Sequence, residues 1–252
     1  MANGIDEDVE AAKSVLRGKS CAPAEALALA KRLKSKDQFG WARKVLAKVR
    51  SSRIPDRTLE LKLGQLHALC TYKDPDLPEL RKLKDALRIL EETDSLGQTT
   101  DPETLGLAGA IHKRFWQATG QRKHLEVSLA YYYRGYHCGI QNDFGYTAIN
   151  AAFLLDLLAH LEEESYSTAG VPTLARSLDK REEAAKIRSE IVRSLPRTAE
   201  LDGNEWLKKA WWFYATMAEA YFGLGPEHHA DSTKWLRDGL SLRDIPTWER
   251  AS

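Results

Sequence analysis

Small residues return at the same place in successive apolar segments of this 252-residue chain, and no other feature restricts the fold so tightly. Ala26-x-x-Leu29-Ala30-x-x-Leu33 is followed, twelve residues after Ala30, by Ala42-x-x-x-Leu46-x-x-Val49. Leu63-Gly64-x-x-His67 precedes Leu83-x-x-Ala86, and Leu105-x-x-Ala108-Gly109-x-x-His112 precedes Ser128-x-x-x-Tyr132-x-x-Gly135. Asn150-Ala151-x-x-Leu154 opens a fourth copy whose second half matches poorly. Tyr214-x-x-Met217-Ala218-x-x-Tyr221, with Ser232-x-x-x-Leu236-x-x-Gly239, makes a fifth. A small side chain is required where two helices cross closely, and large ones fill the space between pairs. Copies in order describe helix pairs that bury their faces on their neighbours.

The finer periodicity agrees. Apolar residues recur at three- and four-residue spacing, and no segment alternates with period two over a useful length. Helices are expected near 6–17, 23–35, 39–51, 56–72, 78–92, 102–118, 123–138, 144–162, 174–195, 204–223 and 227–241. Pro23 suits a first turn, and Asp101-Pro102-Glu103 supplies an N-cap, an N1 proline and a first-turn acid. Short connections make neighbours antiparallel. The longer stretches 92–101 and 164–173 read as loops between helices, not as domain linkers. The small-large spacing is that of tetratricopeptide repeats. The expected fold is all-α: antiparallel helix pairs stacked as a tetratricopeptide-like, elongated solenoid. Residues 1–252 form one domain of about five pairs plus an N-terminal helix. "DIPTWERAS" ends as another helix starts, as in a chain cut from a longer protein.

Composition removes several function classes. Lys plus Arg number 37 and Asp plus Glu 36, so no net charge draws the chain to nucleic acid or to an anionic membrane. No apolar run is long enough to span a bilayer, and the acidic start is not a secretory signal. Cys21, Cys70 and Cys138 lie far apart with no CxxC spacing, which suits reduced thiols in the cytoplasm. His228-His229 before Asp231 reads as a turn and cap, because adjacent helical residues point about 100° apart and rarely share a metal. Glu162–Glu164 reads as a solvated acidic helix end. No P-loop, GxSxG or HExxH occurs, and "GLAGAIHK" lies inside a helical pattern with no strand before it. No catalytic residue, metal or cofactor is expected.

"SLAYYYRGY" places four tyrosines in nine positions, 128–136. In the repeat register Ser128, Tyr132 and Gly135 are packing positions, and a base-stacking platform would need more interleaved cations than Arg134. Tyr131 and Tyr133 point elsewhere on the helix and stay open to packing between repeats or to surface contact.

Three runs carry a resemblance: Leu107–Lys113 within "TLGLAGAIHKRFW", the stretch around Tyr133–Tyr136, and Tyr146–Leu155 within "SLAYYYRGYHCGIQNDFGYTAINAAFLLDLL". Over residues 100–160 the chain resembles the central regulatory, TRAF-binding region of the apoptosis signal-regulating kinases and its bacterial counterparts. The resemblance implies a tetratricopeptide array that primes or gates an adjacent effector. It does not extend to kinase chemistry, since no glycine-rich loop, catalytic lysine, HRD or DFG motif is present.

The expected function is a non-catalytic signalling scaffold for protein–protein interaction, regulating an adjacent or co-encoded effector. The alternatives are an all-helical enzyme with an unrecognised site and a helical-repeat nucleic-acid binder. Tetratricopeptide register places Lys31, Lys34, Gln65, Lys113, Arg114, Asp156, Trp212, Glu219 and Phe222 on the concave face. That face is basic in the early repeats and aromatic in the last. It suits an acidic segment with an apolar anchor near Trp212 and Phe222.

Overall fold

A computed structural model describes residues 2–168, 175–242 and 245. Among the described residues every regular element is helical: α1 (Ala2–Leu16), α2 (Pro23–Ser35), α3 (Phe39–Arg50), α4 (Arg57–Lys73), α5 (Glu79–Thr93), α6 (Pro102–Thr119), α7 (Arg122–His137), α8 (Ile140–Asp143), α9 (Tyr146–Thr168), α10 (Ala175–Thr198), α11 (Trp211–Leu224) and α12 (His229–Leu240). The fold is an all-α helical-repeat array. The described residues fall into two compact units, one within 1–99 and 110–121, the other within 100–109 and 122–245.

In the first unit α2 packs on α3, α3 on α4 and α4 on α5. The small-residue register explains the core: Ala26, Ala30, Leu33, Ala42, Leu46, Leu63, Leu83 and Ala86 are all fully buried. Asp56 caps α4 by accepting from the backbone N–H of Thr58 and Leu59. Gly64 is small out of necessity, because a Cβ there would stand 2.2 Å from Thr93 Oγ1. Arg50 holds the crossing from the other side, donating to Thr93 Oγ1 at 2.7 Å and to His67 Nδ1 at 2.8 Å. Burial, then the Arg50 charge, pulls the His67 imidazole down to about 3, so this histidine is a neutral packing residue.

In the second unit α7 packs on α9, α9 on α10, α10 on α11 and α11 on α12. Asp101 caps α6 through the Thr104 N–H at 2.8 Å. One crossing contact is used twice. Ser128 Oγ donates to the Gly109 carbonyl at 2.7 Å, and Ser232 Oγ donates to the Ala218 carbonyl at 2.7 Å. Tyr132, fully buried, lays its ring where a Cβ on Gly109 would come within 2.9 Å, and Gly135 admits Thr147. Ser128, Tyr132 and Gly135 are thus the inside of the repeat. The fourth copy completes itself with Ala184, Ile187 and Ile191 of α10, all fully buried, although their spacing departs from the pattern.

Several details differ from the expected boundaries. Ile140–Asp143 forms a short helix that closes on Phe144 in the left-handed region, φ 54°. The expected helix 204–223 is divided: Glu205–Lys209 is a 3₁₀ turn anchored by buried Leu207, and extended Ala210 separates it from α11. α10 runs past Pro196 to Thr198: the ring removes one helical hydrogen bond, and the Ala199 N–H still donates to the Leu195 carbonyl at 3.1 Å. Of the stretch 164–173, residues 164–168 belong to α9 and 169–173 lie outside the described residues, as does most of "DIPTWERAS".

Candidate interaction surfaces

Within the first unit the basic residues converge. Lys73 ends α4 with its amine half-buried, 5.8 Å from the centre of the Tyr72 ring. Burial, then the charges of Arg114, Lys113, Lys34 and Lys82, pull that amine down to about 8. Lys34, Lys113 and Arg114, expected on one face, each lie near enough to Lys73 for their charges to act on its amine. Lys82 is held by Glu79 at 2.7 Å, and Arg114 reaches Gln117 at 2.9 Å. Lys31 is exposed. Gln65 is buried, 8% exposed, so it is part of the α4 packing. Repeat counting missed Lys73 because it stands at the end of α4, nine residues beyond Gly64 and outside the counted positions.

The second unit treats its candidates differently. Asp156 receives Arg188 at 2.6 Å and stands 3.9 Å from Arg181. Arg188 is 5% exposed, and its Nε has no hydrogen-bond partner. Gly223 makes room for it, since a Cβ there would lie 2.2 Å from that Nε. Asp156 is therefore the counter-ion of a buried arginine. Trp212 is half-buried in an aromatic group with Phe144 at 6.2 Å and Trp206 at 5.9 Å. Phe222 is 63% exposed and stacks on His229 at 4.7 Å. Glu219 is exposed. His228 lies against Tyr221 instead, so the adjacent histidines serve separate contacts.

The acidic run of α9 corrects one expectation. Glu162 is buried, not solvated: it accepts from Arg122 of α7 at 2.6 Å and Lys180 of α10 at 2.8 Å. Those ion pairs and hydrogen bonds hold its carboxyl below the usual range, against the opposing effect of burial. Tyr133 and Tyr136 face α10. Tyr136 donates to Glu190 at 2.6 Å, and burial, then Glu183, pushes the Tyr133 phenol up to about 12. Both phenols are fixed as donors.

The geometry is that of a tetratricopeptide-like array with its charges sorted differently in its two units. Residues 38–155 match the model of the family Tetratricopeptide Repeats-Sensor, TPR-S. No curated protein matches the chain. Among solved structures, the crystal structure of BtubC (BKLC) from P. vanneervenii is similar at 15% identity, over 95% of this chain and 89% of that one, with a TM-score of 0.43.

Proposed function

We propose that the chain is a non-catalytic scaffold whose first unit binds an acidic protein segment, and that this binding regulates an adjacent or co-encoded effector in the cytoplasm. The observation that carries the reading is the gathering of Lys34, Lys113 and Arg114 around the half-buried Lys73. Like charges gathered on one side attract an acidic segment, whose charge offsets their mutual repulsion. The family match supports a sensor, as its name says, and the likeness of residues 100–160 to a kinase regulatory region supports gating of an effector. Among the described residues no helix is long and apolar enough to cross a membrane.

The test uses defined partners. Each flanking or co-encoded protein is titrated against the chain, beside a labelled oligoglutamate peptide carrying one leucine. Lys34→Glu, Lys113→Glu and Arg114→Glu together should abolish binding, and added salt should weaken it in the parent. Binding unchanged by all three reversals would remove the basic site from the mechanism. Trp212→Ala, measured separately, reports whether the aromatic end of the array contributes the apolar anchor.

A further inference from the structure

The exposed face of α10 carries Glu182, Lys186, Ser189 and Arg193, with Ala185 and Glu190 half-buried beside them. With Tyr136 of α7 these residues line an open cleft of about 550 Å³. The Tyr136 hydroxyl fixes the Glu190 carboxylate at 2.6 Å and makes that wall rigid. Lys186 has only a loose contact with Glu183 at 3.8 Å, and Glu182 and Arg193 make no ion pair among the described residues. The lining is charged, with Ala185 and one tyrosine ring as its apolar parts, whereas small-molecule sites are mostly apolar and enclosed.

Along this face the charges run negative, positive, negative, positive at 182, 186, 190 and 193. Read in the opposite direction, the order is its own complement. A second α10 laid antiparallel, with the two-fold axis passing between Lys186 and Glu190 on the exposed face, sets Glu182 against Arg193 and Lys186 against Glu190, and every contact occurs twice. A parallel copy in register would set like charge against like. Ala185 and Ser189 lie where the two helices cross, and both are small enough for the axes to approach. In the same register Leu178, 57% exposed, meets the aliphatic stem of Arg197.

We propose that the outer face of α10 is a self-complementary surface through which two copies of this chain form an antiparallel, two-fold dimer. The inference is independent of the acidic-segment site, which lies in the other unit. A dimer would present two copies of that site to a paired effector.

The experiment is sedimentation velocity on the full chain across a concentration series, at low salt. The parent should be dimeric. Glu182→Arg and Arg193→Glu should each weaken dimerisation by about tenfold or more. Mixing those two variants should restore a heterodimer, because both cross-contacts then join opposite charges. The double variant Glu182→Arg/Arg193→Glu should dimerise like the parent. The substituted residues are exposed, so folding is not at stake, and matching thermal melts verify it. A parent monomeric throughout the series, single variants that dimerise undiminished, or a mixture and a double swap that fail to recover would each overturn the proposal.

Discussion

Lys113 and Arg114 in the third repeat and Asp156 in the fourth were placed on the same face by the same counting, yet they meet opposite electrostatic surroundings. The third-repeat cations add to a field that already contains Lys34, Lys73 and Lys82. Asp156 is taken up at 2.6 Å by a buried arginine from the next helix. The gathering of like charges is what the proposed acidic-segment site rests on. A charge closed into a buried pair is structure, and removing it leaves the partner stranded. Repeat position alone does not distinguish the two cases.

The largest expected effects come from the register that both units share. Gly64→Leu in the first unit, and Gly109→Leu and Gly135→Leu in the second, should each destabilise by about 3 kcal/mol, since a side chain must displace Thr93, Tyr132 or Thr147. Thermal melts within a degree or two of the parent would show the register to be wrong. Next come the contrasted charges. Asp156→Ala should cost about 2 kcal/mol in denaturant unfolding, whereas Lys113→Ala should change stability by about 0.5 kcal/mol or less. Equal effects would erase the distinction between the units.

The pH dependence sharpens the same contrast within the first unit. The fold disfavours the charged form of Lys73, so between about 8 and the ordinary 10.5 the unfolded chain carries a proton that the folded chain has lost. Stability should rise with pH across that window, and Lys73→Met should flatten the rise. His67 works at the other end: from 6.5 down to about 3 only the unfolded chain takes up the proton, so stability should fall as pH falls. His67→Gln should remove part of that slope, and an unchanged acid limb would exclude His67 as its source. The smallest effect belongs to Lys31→Ala, which should leave stability within about 0.5 kcal/mol and weaken oligoglutamate binding less than Arg114→Ala does. An equal or greater loss would move the centre of the basic site toward α2.

The sequence by itself determined the helix pairs and their crossings. Ala30, Ala42, Gly64, Gly109, Ser128 and Gly135 are legible because helix crossing is a local steric requirement, repeated at a period that a linear chain displays. Tertiary structure alone decided the partners of the charges. Lys34, Lys73 and Lys113 are about forty residues apart in succession, and Arg122, Glu162 and Lys180 come from three helices. No spacing rule connects such residues. The same holds for the Tyr136–Glu190 contact, which depends on α7 and α10 facing each other across a cleft. Packing is written in the period of each helix, whereas electrostatics depends on distances in space that appear only when the helices are assembled.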